Sequence, residues 1–138
     1  MKQNWTGWVQ VTGWSTALAS IADAGAATSS QVDNSTQKSY AMDVGLTWDK
    51  DGAAGTGTIE LWLLPEINDG AAQDSSAPPR GGSIVMVVST AAETTTRYQY
   101  ARFSGLPQKF KFYILNSSGS GLNTNADVYY NFVDFVDV

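Results

Sequence analysis

Period-two alternation of apolar and polar residues recurs along this chain, in short runs separated by glycine, proline, aspartate and serine. Such alternation puts successive side chains on opposite faces of a strand, whereas a helix repeats its apolar residues at a period of about 3.6. The stretch Gly57–Ile67 anchors the reading. Ile59, Leu61 and Leu63 share one face, and Trp62 and Leu64 make the other face apolar too, as in a strand covered on both sides. Leucines favour a helix, but the β-branched residues, the flanking glycines and the early proline outweigh them. Pro65 has no N–H for a ladder and ends the pairing.

Residues 38–48 alternate most clearly. Tyr40, Met42, Val44, Leu46 and Trp48 fall on one face, and Ala41, Asp43, Gly45 and Thr47 on the other. This predicts a half-buried antiparallel strand with a wet outer side. Asp49-Lys50-Asp51-Gly52 is a turn signal. The short glycine-rich loop from there to Gly57 predicts that these two strands form a hairpin.

Further strands are expected over 83–89, 96–104, 108–116 and 127–137. Tyr98, Tyr100 and Arg102 share one face of the second of these, opposite Arg97, Gln99, Ala101 and Phe103. In the last, Val128, Tyr130, Phe132 and Asp134 alternate with Tyr129, Asn131, Val133 and Phe135. Residues 29–33 read as a weak strand, and 68–82 as the longest loop. Residues 15–24 fit a helix capped by Ser15 and stopped at Gly25, or a loop with a short strand. Trp5–Trp14 reads as a strand or an extended N-terminal arm within a single domain spanning 1–138. About seven to nine strands with turns between them predict an all-β fold, an antiparallel two-sheet β-sandwich of jelly-roll or Greek-key type. No internal repeat points to a propeller or solenoid.

The 138 residues are enough to bury a core without disulfides, and there is no cysteine. The net charge of −5 argues against nucleic-acid binding, which needs a basic footprint. Charged residues make up 15% of the chain, below the roughly 25% usual for soluble domains. The polar surface is therefore mostly Ser, Thr, Asn, Gln and Gly, which suits broad, wet contacts. Met1-Lys2-Gln3-Asn4 opens no signal peptide, and no stretch is long and apolar enough for a membrane helix. The expectation is a chain made in the cytoplasm with no membrane partner.

Chemistry-bearing residues are sparse. With no His and no Cys, the usual Ser-His, Cys-His and zinc sites are excluded. Glu60 and Glu66 share a nominal strand face and have the residue type of a glycosidase pair, but no cleft is indicated. Asp49 and Asp51 read as turn residues, since the ligands of a calcium loop are incomplete. No catalytic residue, metal ligand or cofactor is expected. Lys109 and Lys111 share a face with Tyr113 and read as solvated edge charges.

The aromatics carry the functional signal. Trp5, Trp8 and Trp14 suit core packing, a protein partner or stacking on sugar rings. The Arg–Tyr mixture of Arg97, Tyr98, Tyr100 and Arg102 suits a protein interface or ordinary cross-strand pairs. These seven residues form the candidate interface. A sugar-binding module predicts exposed rings on one sheet or in loops. A protein-docking surface predicts the same rings covered by a partner.

Three segments together resemble the small β-sandwich structural proteins of tailed bacteriophages: Glu60-Leu61-Trp62-Leu63-Leu64-Pro65-Glu66-Ile67-Asn68-Asp69-Gly70, Pro78-Pro79, and Phe103 to Gly119. In that family a strand with a Leu-Pro exit leads to an Asp-Gly loop. A Gly-Leu/Ile-Pro turn then leads into a Phe-Lys-Phe strand and an Asn-x-Ser/Thr-Gly turn, the last here Asn116-Ser117-Ser118-Gly119. The resemblance covers about residues 38–122; the tryptophan-rich start and acidic, aromatic end lie outside it. It implies a virion structural protein, a capsid decoration (cement) protein or a tail or neck accessory. It also implies contact with the major capsid protein and with copies of itself, a trimer being typical. The rival expectation is a carbohydrate-binding β-sandwich module.

Overall fold

The computed structural model describes residues 2–12, 14, 18–66 and 82–136, the side chain of Val136 excepted. Among the described residues ten strands pack as two antiparallel sheets. They are β1 (Lys2–Trp5), β2 (Val9–Gln10), β3 (Ala26–Thr28), β4 (Val32–Asp33), β5 (Ala41–Trp48), β6 (Gly57–Pro65), β7 (Ser83–Thr90), β8 (Arg97–Ser104), β9 (Lys109–Ser117) and β10 (Asp127–Val136). The first sheet runs β1-β10-β5-β8, with β2 also on β10; the second runs β3-β9-β6-β7, with β4 also on β9. From β4 onward the chain changes sheet at every connection except β6–β7. This is a jelly-roll sandwich, as the pattern of short alternating runs predicts.

The ten strands fill eight lanes, because two lanes are broken. Gly7, at φ 94°, bends the chain between β1 and β2, a conformation that favours glycine. Asn131 spans the break: its side-chain oxygen accepts the Gly7 N–H at 2.9 Å and the Thr6 hydroxyl at 3.3 Å. Ser29 spans the other break. Its N–H donates to the Phe112 carbonyl, and its hydroxyl accepts the Phe112 N–H, both at 2.9 Å. The weak strand expected over 29–33 is thus only Val32–Asp33, and the Ala26–Thr28 strand gave no alternation to read.

The core lies between the sheets. Met42, Val44 and Leu46 of β5 and Val128, Tyr130 and Phe132 of β10 face Ile59, Leu61 and Leu63 of β6 and Phe110, Phe112 and Ile114 of β9. Aromatic rings run through it: Trp14 against Phe112, Phe112 against Phe110 and Tyr130, and Tyr130 against Phe132. Asn116 is fully buried and ties three segments together. Its amide donates to the carbonyls of Ile21, Ala22 and Ser120, and its oxygen accepts the Ser118 N–H.

Four expectations need correction. β5 and β6 do not form a hairpin: β5 pairs with β8 and β10, β6 with β7 and β9, and the connecting loop crosses between sheets. Asp43 and Ala41, on the side of β5 expected to be wet, are buried, while Tyr40 precedes the strand and is exposed. β9 is an interior strand, so Lys109 and Lys111 are half-buried, not edge charges. At the start of the 18–25 segment the Leu18 N–H donates to the Trp14 carbonyl. The left-handed residue there is Ala24, at φ 63°, not Gly25. Gly25 is held by space: a Cβ on it would lie 2.9 Å from the Ala22 carbonyl oxygen. The Ser15 cap and the loop at 68–81 fall outside the described residues, as does Asp137.

Candidate functional site

The outward face of the first sheet gathers most of the predicted interface. β8 is an edge strand, and its alternation is as read from sequence. Tyr98 lies opposite Thr47, Tyr100 opposite Gly45 and Arg102 opposite Asp43. On the other side of β5, Asp127, Tyr129, Asn131 and Val133 of β10 face Thr47, Gly45, Asp43 and Ala41. Trp5 extends the last of these rows by pairing with Val133, and Gln3 pairs with Phe135. Trp8, in the bend after Gly7, lies over Gly45 of β5. A Cβ on Gly45 would stand 3.7 Å from its ring, so the indole rests on nearly bare backbone. The rings of Trp8 and Tyr100 meet edge to face, centroids 6.5 Å apart.

Exposure divides the tryptophans. Trp14 is 1% exposed and belongs to the core, its indole N–H without a hydrogen-bond partner. Trp5 and Trp8 are about half exposed, at 49% and 52%, and Tyr98 and Tyr100 stand out further at 75% and 55%. Large exposed rings on one face are informative, because such side chains are usually buried.

A polar band crosses the middle of the face. Arg102 grips Asp43 through two nitrogens, at 2.6 and 3.1 Å, and the Trp5 indole N–H donates to the same carboxylate at 3.2 Å. Burial pushes the Asp43 carboxyl up, but hydrogen bonds from Arg102, Tyr100 and Trp5 outweigh it, leaving the group below its ordinary value. The same contact raises the Tyr100 hydroxyl above its usual range. The band separates two apolar ends. One holds Trp5 and Phe135. The other holds Trp8, Tyr98, Tyr100 and Tyr129.

At that second end two shallow depressions adjoin and share Thr47, Tyr98 and Tyr129. The first, of about 260 Å³, is walled by Trp8 and Tyr98 over Gly45 and is almost entirely apolar. The second, of about 290 Å³, is polar, with Thr96, Thr124, Asn125 and Asp127 on its rim.

Trp5, Trp8, Tyr98, Tyr100 and Arg102 therefore come together, and Trp14 and Arg97 do not. Arg97 faces the other way and makes a bidentate pair with Glu93, both contacts 2.8 Å, in an edge pocket that reaches the two depressions only at Tyr98. Sequence reasoning missed Tyr129, Phe135 and Asp43. The first two share a parity in the last strand, which was visible; that β10 lies between β5 and the start of the chain was not.

The carboxylates serve as ties. Glu60 accepts the Trp62 indole N–H at 3.0 Å, and Glu66 accepts Gln31 at 3.0 Å. Asp49 accepts the Asn125 backbone and side-chain N–H groups at 3.0 and 2.9 Å, and Asp51 accepts the Ser120 hydroxyl at 3.2 Å. Among the described residues no group of three or more His, Cys, Asp or Glu gathers to hold a metal, and no helix is long and apolar enough to cross a membrane.

Lanes, crossovers and core define the protein as a jelly-roll β-sandwich. No family model and no curated protein matches the sequence. Solved structures do match the fold. The CBM36-1 domain of a multidomain xylanase from the hindgut metagenome of Trinervitermes trinervoides superposes with a TM-score of 0.52 at 8% identity, over 98% of this chain and 100% of that one. The Podospora anserina GH26-CBM35 β-(1,4)-mannanase gives 0.50 at 12% identity, over 99% of this chain but only 27% of the enzyme. Murine APRIL gives 0.45 at 6% identity, over 68% of this chain and 64% of its own. At 8% and 12% identity the first two likenesses are of fold alone.

Proposed function

We propose that this protein is a non-enzymatic virion component, a capsid decoration protein of a tailed bacteriophage that binds across capsid subunits through the outward face of its first sheet. The observation that carries the reading is the pair of half-exposed rings of Trp5 and Phe135, on adjacent hydrogen-bonded strands of the first sheet. Rigid rings on such a surface lose little conformational freedom on docking, and Trp and Tyr dominate protein–protein hot spots. The sequence resemblance over residues 38–122 supplies the virion context. Decoration adds buried interface to the shell, about 800 Å² per partner in a stable contact, and stabilises it by binding the assembled form. We place the capsid contact at the Trp5–Phe135 end, on the outer surface of the particle. The protein acts as a homo-oligomer, a trimer by the same resemblance.

The test is co-sedimentation with undecorated capsids of the parent particle. Removing residues 1–14 is not a clean variant, because Val11 and Trp14 are core residues. Trp5→Ala and Phe135→Ala are better choices, and each is expected to weaken capsid binding at least about tenfold, or 1.4 kcal/mol. Unchanged binding in both overturns the assignment of the contact, and no capsid binding by the wild type overturns decoration. The rival reading, a free carbohydrate-binding module, draws on the exposure of Trp8 and Tyr98, beside half-buried Tyr129, at the other end of the face.

A further inference from the structure

We infer that the paired depressions at the Thr47 end of the first sheet are a binding site for the ring of a neutral sugar, present in addition to the capsid contact. The inference does not depend on the decoration reading. A pyranose has an apolar C–H face and a rim of hydroxyls, so its site needs an aromatic wall beside hydrogen-bonding groups. This end supplies both within one continuous surface. Tyr98 and Tyr129 line the apolar and the polar depression alike, and Trp8 closes the apolar one.

The polar groups are braced and keep bonding capacity. The Thr47 hydroxyl donates to the Asn125 carbonyl at 2.7 Å and retains acceptor lone pairs. Asn125 spends its amide N–H groups on Asp49 and Thr96, so its side-chain oxygen remains an acceptor. Asp127 is held by Gln10 and by the Val128 N–H. The Tyr98 hydroxyl makes no hydrogen bond among the described residues, and its ring is the most exposed of the large apolar side chains.

Charge selects the sugar class. Neither depression is lined by Lys or Arg, and Asp127 stands on the rim. A sulfated or uronic sugar would meet a carboxylate with no cation to offset it. A neutral hexose or N-acetylhexosamine meets the aromatic wall, the hydroxyls, the amides of Gln99 and Asn125 and a single carboxylate. Position keeps the site clear of the proposed capsid contact. From Ala41, in the Trp5 row, to Thr47 is six steps along β5, or about 20 Å, with the Asp43–Arg102 pair between. A protein standing on its Trp5–Phe135 end presents the depressions outward.

The experiment is isothermal titration of the purified chain with neutral glucose, galactose, mannose and N-acetylglucosamine oligosaccharides, with tryptophan emission read in parallel. Wild type is expected to bind at least one series saturably. Tyr98→Ala and Trp8→Ala are expected to weaken that binding tenfold or more, while Trp5→Ala leaves it unchanged. Tyr98 is exposed enough that its replacement spares the fold, which circular dichroism checks. Absence of saturable binding across the four series, or binding that survives both substitutions, overturns the proposal. Loss of capsid binding in Tyr98→Ala, with no sugar bound by wild type, makes this end a protein contact and also overturns it. Capsid binding by the Trp5 variants is read separately, so either idea can fail without the other.

Discussion

At the scale of single residues, Asp43 shows how the face holds its shape. It is a buried carboxylate on a side of the strand that sequence marks as wet, and it is buried because three donors converge on it. Asp43→Asn keeps the volume but loses the charge that Arg102 grips. The expected loss is about 1–3 kcal/mol, read from urea midpoints. The pH dependence follows from the lowered carboxyl. Its contribution is complete above the unfolded-state value of about 3.9 and is lost as pH falls through the still lower folded value. The difference in stability between wild type and Asp43→Asn is therefore expected to shrink below pH 4. A constant gap down to pH 2 would sink this account. Sequence named Arg102 and Trp5 but not the carboxylate that joins them, because an Asp on the polar parity of a strand looks the same whether solvated or gripped.

At the scale of elements, strand identity was legible and strand partnership was not. β5, β8, β9 and β10 announce themselves by alternation, and the two-faced apolar run at Ile59–Leu64 marks β6 as interior. Nothing local distinguishes the β5–β6 loop from a hairpin. A glycine-rich connection serves equally for a crossover, and the choice falls to β10, which competes for the edge of β5 from the far end of the chain. Glycines within these elements differ in what they do. A Cβ on Gly57 would collide with the Ser117 carbonyl oxygen, where β6 passes β9. Gly105 has a φ of 75° but open space around it. Gly57→Ala must shift backbone and is expected to melt far below wild type or to fail to fold. Gly105→Ala is expected to cost only about 1–2 kcal/mol, the left-handed penalty. Calorimetry that ranked them in the opposite order would show that β6 and β9 separate without cost.

At the scale of the whole molecule, the jelly roll was legible and its aromatic face only in part. Trp5, Trp8, Tyr98, Tyr100 and Arg102 converge because β1, β5, β8 and β10 are neighbours in one sheet, a relation that spans nearly the whole chain. Trp14 carries the same residue type, yet it turns inward by lying beyond Val11, where the chain leaves the sheet for the core. Multi-angle light scattering on the isolated chain is expected to give the mass of a trimer, and a single-copy mass at micromolar concentration would overturn that expectation.

The pairing of β1 and β2 with β10 has a kinetic consequence. Lys2 meets Val136 and Trp5 meets Val133, so the first strand waits for the last. Loops this long close late, and sandwiches dominated by distant pairings fold in milliseconds to seconds. Until the final strand leaves the ribosome, Trp5 has no Val133 to lie beside and Tyr129 is not yet in the sheet. A nascent or truncated chain ending before Asp127 has no assembled outward face to offer. The aromatic face is thereby completed only when β10 has taken its place between β5 and the β1–β2 lane.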